Sequence, residues 1–195
     1  MHEVTTPNTL SEKLKEGTKN NHQNLEKELL KRLKIIRSSN EYAELLTHFY
    51  SFFGGLELCI DKHLDLNILP DYPYRRKTSA ILNDLRCIDA VLPALAEKSA
   101  LPEIGNHFQA LGALYVIEGS TLGGQIICKI LRGQVSCIDP AAMSFFSGYG
   151  DQTYQMWNVF KQAIDLIKEP EDENMVIVSA NHTFLEFSNW FGKNG

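Results

Sequence analysis

The sequence predicts an all-α protein, and three observations carry that prediction. Apolar residues recur at spacings of three and four along most of the chain, strand-like alternation is rare, and helix start and stop signals punctuate the sequence at helical intervals. A single helical bundle follows, because 195 residues bury enough apolar surface for one complete core. The ordered core is expected over about residues 9–192 of one domain spanning 1–195.

Thr9 and Glu12 have the spacing of a capping box and open a first helix over residues 10–37, with Leu10, Leu14, Leu25, Leu29 and Leu33 on one side. Ser38, Ser39 and Asn40 break it. A second helix over 41–64 is rich in aromatic residues, among them Tyr42, Phe49, Phe52 and Phe53, and is expected at the centre of the bundle. Gly54 and Gly55 lie inside it and either kink it or admit a neighbour. A proline-bounded loop at 70–74 precedes predicted helices over 75–87 and 89–98. Pro102 suits the first turn of the next helix, which runs through His107, Leu111, Tyr115 and Gly119 to about residue 131, with Gly133 as its stop. A short turn after Asp139 and Pro140, a break at Gly148 and Gly150, a helix over 152–167 and a last helix over 171–191 complete the chain. Phe184, Phe187, Trp190 and Phe191 should pack that last helix onto the body.

Composition excludes several classes. With 44% hydrophobic and 22% charged residues the chain is neither disordered nor a membrane protein by composition. It has no run of 18 apolar residues, and its first residues lack a signal-peptide pattern, so a cytoplasmic protein with no membrane partner is expected. A net charge of -5 argues against nucleic acid, whose phosphates need a basic footprint. Cations nonetheless crowd the stretch from Lys13 to Arg37, and Arg75, Arg76 and Lys77 form a second patch suited to an acidic protein. Cys59, Cys87, Cys128 and Cys137 form no Cys-x-x-Cys pair, so reduced thiols are expected rather than a zinc site or a disulfide framework.

Two stretches about a hundred residues apart carry the functional signal. His22 shares a helix face with Thr18 one turn before it, Glu26 one turn after it and Lys15 seven residues before it. An imidazole that ligates iron donates its other N–H to an acceptor, and Glu26 is placed for that role. Lys15 lies about 10 Å along the axis at a rise of about 1.5 Å per residue, comparable to the reach from a haem iron to its propionates. A partly exposed helix histidine among lysines would show the same pattern.

The second stretch holds Gly119, Gly123 and Gly124 inside an otherwise apolar helical run, each costing about 1 kcal/mol against alanine. Gly112, Gly119 and Gly123 line one stripe, with Ser120 beside it. A stripe without side chains admits either a flat ligand or a closely packed helix. Together the two stretches have the make-up of a haem pocket with an open sixth position, one wall carrying the ligand and the other bare, with a hydroxyl to hold water. Of the other histidines, His107 suits packing or bonding near a helix start, His48, His63 and His182 suit structural or exposed positions, with an approach of His182 to such a pocket, beside Phe184, as the alternative, and His2 belongs to the terminus.

At these residues the chain resembles a known family, the haem oxygenases, of the soluble bacterial, biliverdin-producing type. The resemblance runs from Leu10 to about Phe191. It is most specific at Leu14, Lys15, Glu16, Thr18 and His22, and again from Leu114 through Glu118, Gly119, Ser120 and Leu122 to Gly123 and Gly124. It implies a single-domain all-α bundle holding haem between the first helix and a kinked, glycine-rich distal helix. It implies His22 as iron ligand, Glu26 as its acceptor, Lys15 as a propionate anchor, and Gly119, Ser120, Gly123 and Gly124 as the catalytic distal wall. Thr18, Tyr115, Phe184 and Phe191 are implied as further haem contacts, and Phe160 with Lys161 as a weaker match to a second propionate segment. The chain departs from the family pattern at Ser120, where animal enzymes carry an aspartate, and at Asp165, where a cation is expected.

The resemblance further implies oxidative cleavage of haem, at once cofactor and substrate, to biliverdin, carbon monoxide and ferrous iron by O2 and external electrons. The sequence holds no flavin or nicotinamide fingerprint, so a ferredoxin or flavoprotein reductase is expected as donor, docking on the lysines of the first helix or on Arg75, Arg76 and Lys77. A haem-binding or haem-delivery protein that does not degrade its ligand would use the same two walls.

Overall fold

A computed structural model describes residues 9–135 and 138–194; His2 and Cys137 lie outside the described residues. Its helices are α1 (Leu10–Gly17), α2 (Lys19–Ile35), α3 (Ser39–His63), α4 (Ser79–Cys87), α5 (His107–Gln134), α6 (Ser144–Ser147), α7 (Thr153–Ile164) and α8 (Pro170–Asn194), with no strand among the described residues. Short 3-10 turns fill several of the connections.

The first expected helix is two. The Thr9 and Glu12 capping box forms as predicted and starts α1. At Thr18 the side-chain hydroxyl donates to the Leu14 carbonyl at 2.7 Å, the back-bond that bends helices at serine and threonine, and α2 begins one residue later. The bend falls between Lys15 and His22. α3 runs unbroken through Gly54 and Gly55, and what packs on them is not a helix. An extended strap over residues 90–97 crosses them, where the sequence predicted a helix. A Cβ on Gly54 would stand 2.6 Å from Leu95 Cδ2, and one on Gly55 3.3 Å from the Ala96 carbonyl. The Ala96 N–H donates to the Ser51 carbonyl at 2.8 Å, and the Ser51 hydroxyl donates to the Ala94 carbonyl at 2.7 Å. Asp89, in the left-handed region at φ 52°, ends α4 before the strap.

Helix α5 starts at His107 and not at Pro102, because Asn106 accepts the Gln109 N–H and caps it. It passes Gly133 and ends at Gln134. It is long and apolar enough to cross a membrane, yet 67% of its most apolar window is buried inside the fold, as befits a core helix. It packs most extensively against α8, and Gly112 makes that possible, since a Cβ there would meet the Val176 carbonyl at 2.3 Å. Beneath both, Phe49, Phe53, Phe145, Phe146 and Phe187 pack largely edge to face. Asp84 accepts from the Ser144 and Phe145 N–H groups at 2.9 Å each and from the Ser144 hydroxyl at 2.6 Å, fixing α6 under the middle of α5.

Candidate active site

A cavity of about 560 Å³ opens between α1–α2 on one side and the middle of α5 on the other. His22, Thr18 and Glu26 line the first wall, and Tyr115, Gly119, Ser120 and Gly123 the second. Phe49, Phe53, Phe146, Phe184 and Phe187 form an apolar floor, and α7 adds Trp157 and Lys161 at the side. Ser11 and Lys15 of α1 border the same space. The two stretches singled out in the sequence therefore face each other.

The His22 side chain is half exposed, packs against the Phe184 ring with centroids 5.4 Å apart, and brings Nε2 to 3.5 Å from Glu26 Oε1. The glycines of α5 divide by what they face. A Cβ on Gly123 would meet nothing within 4 Å, and one on Gly119 would reach only the Trp157 ring at 3.8 Å, so these two present bare backbone to the cavity. Gly124 does not: a Cβ there would stand 2.1 Å from the Phe146 carbonyl, so its role is close packing of α5 on α6. Phe191 also stands away from the cavity, its ring against His48 and Phe49. His182 is exposed on α8 and outside the lining, and His107 accepts the Asp65 N–H near the start of α5.

Behind Ser120 lies a polar network that sequence reasoning missed. Arg76 donates through Nη2 to the Ile117 carbonyl and to the Ser120 hydroxyl, and through Nη1 to the Phe145 carbonyl, each at 3.0 Å. Its guanidinium lies over the Phe145 ring at 4.0 Å. Arg75, its side chain wholly buried, pairs with Glu118 at 2.6 Å and with Asp71 at 2.8 Å. The Tyr149 hydroxyl donates to Glu118 and accepts the Arg76 N–H. Burial pushes the Glu118 carboxyl up from its ordinary range, opposed by the two guanidiniums beside it, and burial also pushes Tyr149 up and Arg76 down. The expectation that Arg75, Arg76 and Lys77 form an exposed docking patch is thus corrected: two of the three are internal supports of α5, and Lys77 pairs with Glu57 and Asp61 over the Tyr72 ring. One signal pointed there. Glu118 interrupts the apolar run from Ala113 to Ile117, and a carboxylate so placed needs a buried partner.

Ser120 is left with a defined polarity. Its hydroxyl donates to the Ile117 carbonyl at 2.6 Å and accepts from Arg76, so only an acceptor lone pair remains for the cavity.

The haem oxygenase family model matches residues 8–193. The chain belongs to the haem oxygenase family. A haem oxygenase of Xanthomonas campestris pv. campestris (strain 8004) is 33% identical over 98 residues, which are 48% of this chain and 54% of that relative, so the match spans about half the length of the curated protein. Two solved haem oxygenases share the fold. The NO- and CO-bound enzyme of Neisseria meningitidis superposes with a TM-score of 0.77 at 22% identity, covering 96% of this chain and 92% of that one. The haem oxygenase of Leptospira interrogans gives 0.74 at 20% identity, covering 95% and 99%. The all-α bundle expected from the sequence is therefore the haem oxygenase fold.

The residues present fit haem as that family's ligand: Gly123 leaves a cradle that a side chain would fill, one imidazole stands on the opposite wall, and the floor is aromatic. Lys15 and Lys161 border the same cavity, and among the described residues neither is held in an ion pair.

Proposed function

We propose that this protein is a biliverdin-producing haem oxygenase, cleaving haem to biliverdin, carbon monoxide and ferrous iron with O2 and electrons from an external donor. The observation that carries the reading is the slot itself, in which one histidine faces a stretch of bare helix edged by a single oriented hydroxyl. Bound haem supplies both the iron at which dioxygen is reduced and the ring that is opened.

The chain's own residues do the rest. His22 would hold the iron as a neutral imidazole, a weaker electron donor than a thiolate, with Glu26 to fix its ring. Lys15 and Lys161 would take the propionates as charge-assisted contacts, leaving the apolar macrocycle to the phenylalanine floor. Gly119 and Gly123 keep the distal side free of side chains, so that small molecules and not a second ligand occupy it. Ser120, acceptor only, would hold a water by one of its hydrogens and aim the other hydrogen into the slot, toward the place where negative charge develops. Arg76 keeps that hydroxyl from turning.

With Arg75 and Arg76 internal, the lysines of α1 and α2 are the basic surface left for the donor, and an acidic one-electron carrier such as a ferredoxin or a flavoprotein reductase is the partner we assign. The test is aerobic turnover: purified protein loaded with haemin and given a reductant should lose its Soret band and release a bilin. Haem retained intact under those conditions would make the protein a carrier.

A further inference from the structure

We infer that Ser11 and Asp165 form a latch between α1 and α7 that sets the spacing of Lys15 and Lys161, and thereby the in-plane seating of a dicarboxylate macrocycle. Asp165 Oδ1 accepts the Ser11 N–H at 2.7 Å, and Oδ2 accepts the Ser11 hydroxyl at 2.9 Å. The two residues lie 154 positions apart, and both carboxylate oxygens are used.

The consequence follows from helix geometry. Ser11 and Lys15 are four apart on α1, and Lys161 and Asp165 are four apart at the C-terminal end of α7, so each pair shares one face of its helix. Closing Ser11 on Asp165 places the next turn of α1 near the preceding turn of α7, and Lys15 and Lys161, carried on those turns, line the same cavity. Among the described residues Asp165 forms no ion pair with either lysine; its carboxylate is directed at Ser11. Both ammonium groups stay available to a ligand, at a spacing set by the latch and not by their own long side chains. α1 is also tied to α8 by Lys13 and Glu173 at 2.5 Å, so the latch joins α7 to a helix already fixed elsewhere. Asp165, which departs from the family's cation, is accounted for as a positioning residue, and so is Ser11.

This inference rests on the haem reading above, and one experiment separates the two. Haemin and haemin dimethyl ester, which lacks the two carboxylates, are titrated into the wild type and into Asp165→Ala and Ser11→Ala, and the proton NMR spectrum of each haemin complex is recorded. The wild type should favour haemin over the ester by about fivefold or more, the scale of two partly exposed charge contacts. Asp165→Ala should lose most of that preference, keep its affinity for the ester, and show a second set of haem methyl resonances. Ser11→Ala, which keeps the backbone contact, should fall between, and it serves as the deciding variant if Asp165→Ala does not fold by circular dichroism. An equal loss of affinity for both ligands would mean that the latch only shapes the slot, and would overturn the inference. So would a wild-type preference and spectrum retained in the variants. Absence of haemin binding by the wild type would instead overturn the haem reading itself.

Discussion

Arg76 and Ser120 are joined by a hydrogen bond of 3.0 Å that passes from the loop before α4 to the cavity wall of α5. The same Nη2 reaches the Ile117 carbonyl, which the Ser120 hydroxyl also uses, so the arginine holds the serine and the turn that carries it as one unit. The α5 wall of the cavity therefore owes its polarity to a residue outside α5.

Arg76→Met should cost about 1–3 kcal/mol, because the buried Phe145 carbonyl loses its side-chain donor and the cation over the Phe145 ring is gone. Urea denaturation measures it. Ser120→Ala should leave the haem dissociation constant within about twofold and slow bilin formation at least tenfold, a split between binding and turnover expected of a group that acts after the ligand is seated.

The Arg75 and Glu118 pair is buried on both sides, at 0% and 1% exposure. Removing one partner strands a charge: Arg75→Met should destabilise by about 3–5 kcal/mol. The double variant Arg75→Met with Glu118→Leu should recover part of that loss, and a double-mutant cycle on thermal midpoints would show it as strong coupling.

Adjacent glycines should respond in opposite directions. Gly123→Ala places a methyl in open space inside a helix and should stabilise by about 0.5–1 kcal/mol. Gly124→Ala drives a methyl into the Phe146 carbonyl and should destabilise by about 1–3 kcal/mol. Gly123→Leu should fold normally and fail to take up haem, read from the Soret band.

His22→Ala should abolish the ferric haem spectrum of the wild type, and added imidazole should restore it by entering the space left by the ring. An unchanged spectrum would move the ligand role to another residue.

Burial lowers the pKa of His107, whose Nδ1 must stay unprotonated to accept the Asp65 N–H at 2.9 Å. The unfolded chain takes up a proton near the ordinary imidazole value of 6.5, and the folded one does so only at lower pH. This contribution to stability is complete above 6.5 and is lost as pH falls from there toward the lower native value. His48, lowered by burial as well, acts in the same direction. The urea midpoint should drop between about pH 7.5 and 5.5, and drop less in His107→Gln.

Much of this was legible along the chain. The capping box at Thr9, the apolar spacing of α3 and α5, the helix face around His22 and the glycine stripe of α5 are local patterns, and local patterns are what periodicity and propensity encode. The errors fell where a distant partner overrode them. Residues 90–97 leave the helix expected of them because α3 offers Gly54 and Gly55 as a groove and Ser51 as a hydrogen-bonding partner. Arg75 and Arg76 look like a surface patch because their partners, Glu118, Ser120, Phe145 and Tyr149, lie some 40 to 75 residues away.

The sequence by itself determined the helical class, through spacing within a few turns, and through its resemblance the family and the two stretches that line the slot. Tertiary structure alone decided which glycines face the cavity and which face backbone, that Arg76 orients Ser120, and that Asp165 reaches Ser11. A side chain's spacing names the face of its own helix, but what that face meets is set by how the helices pack.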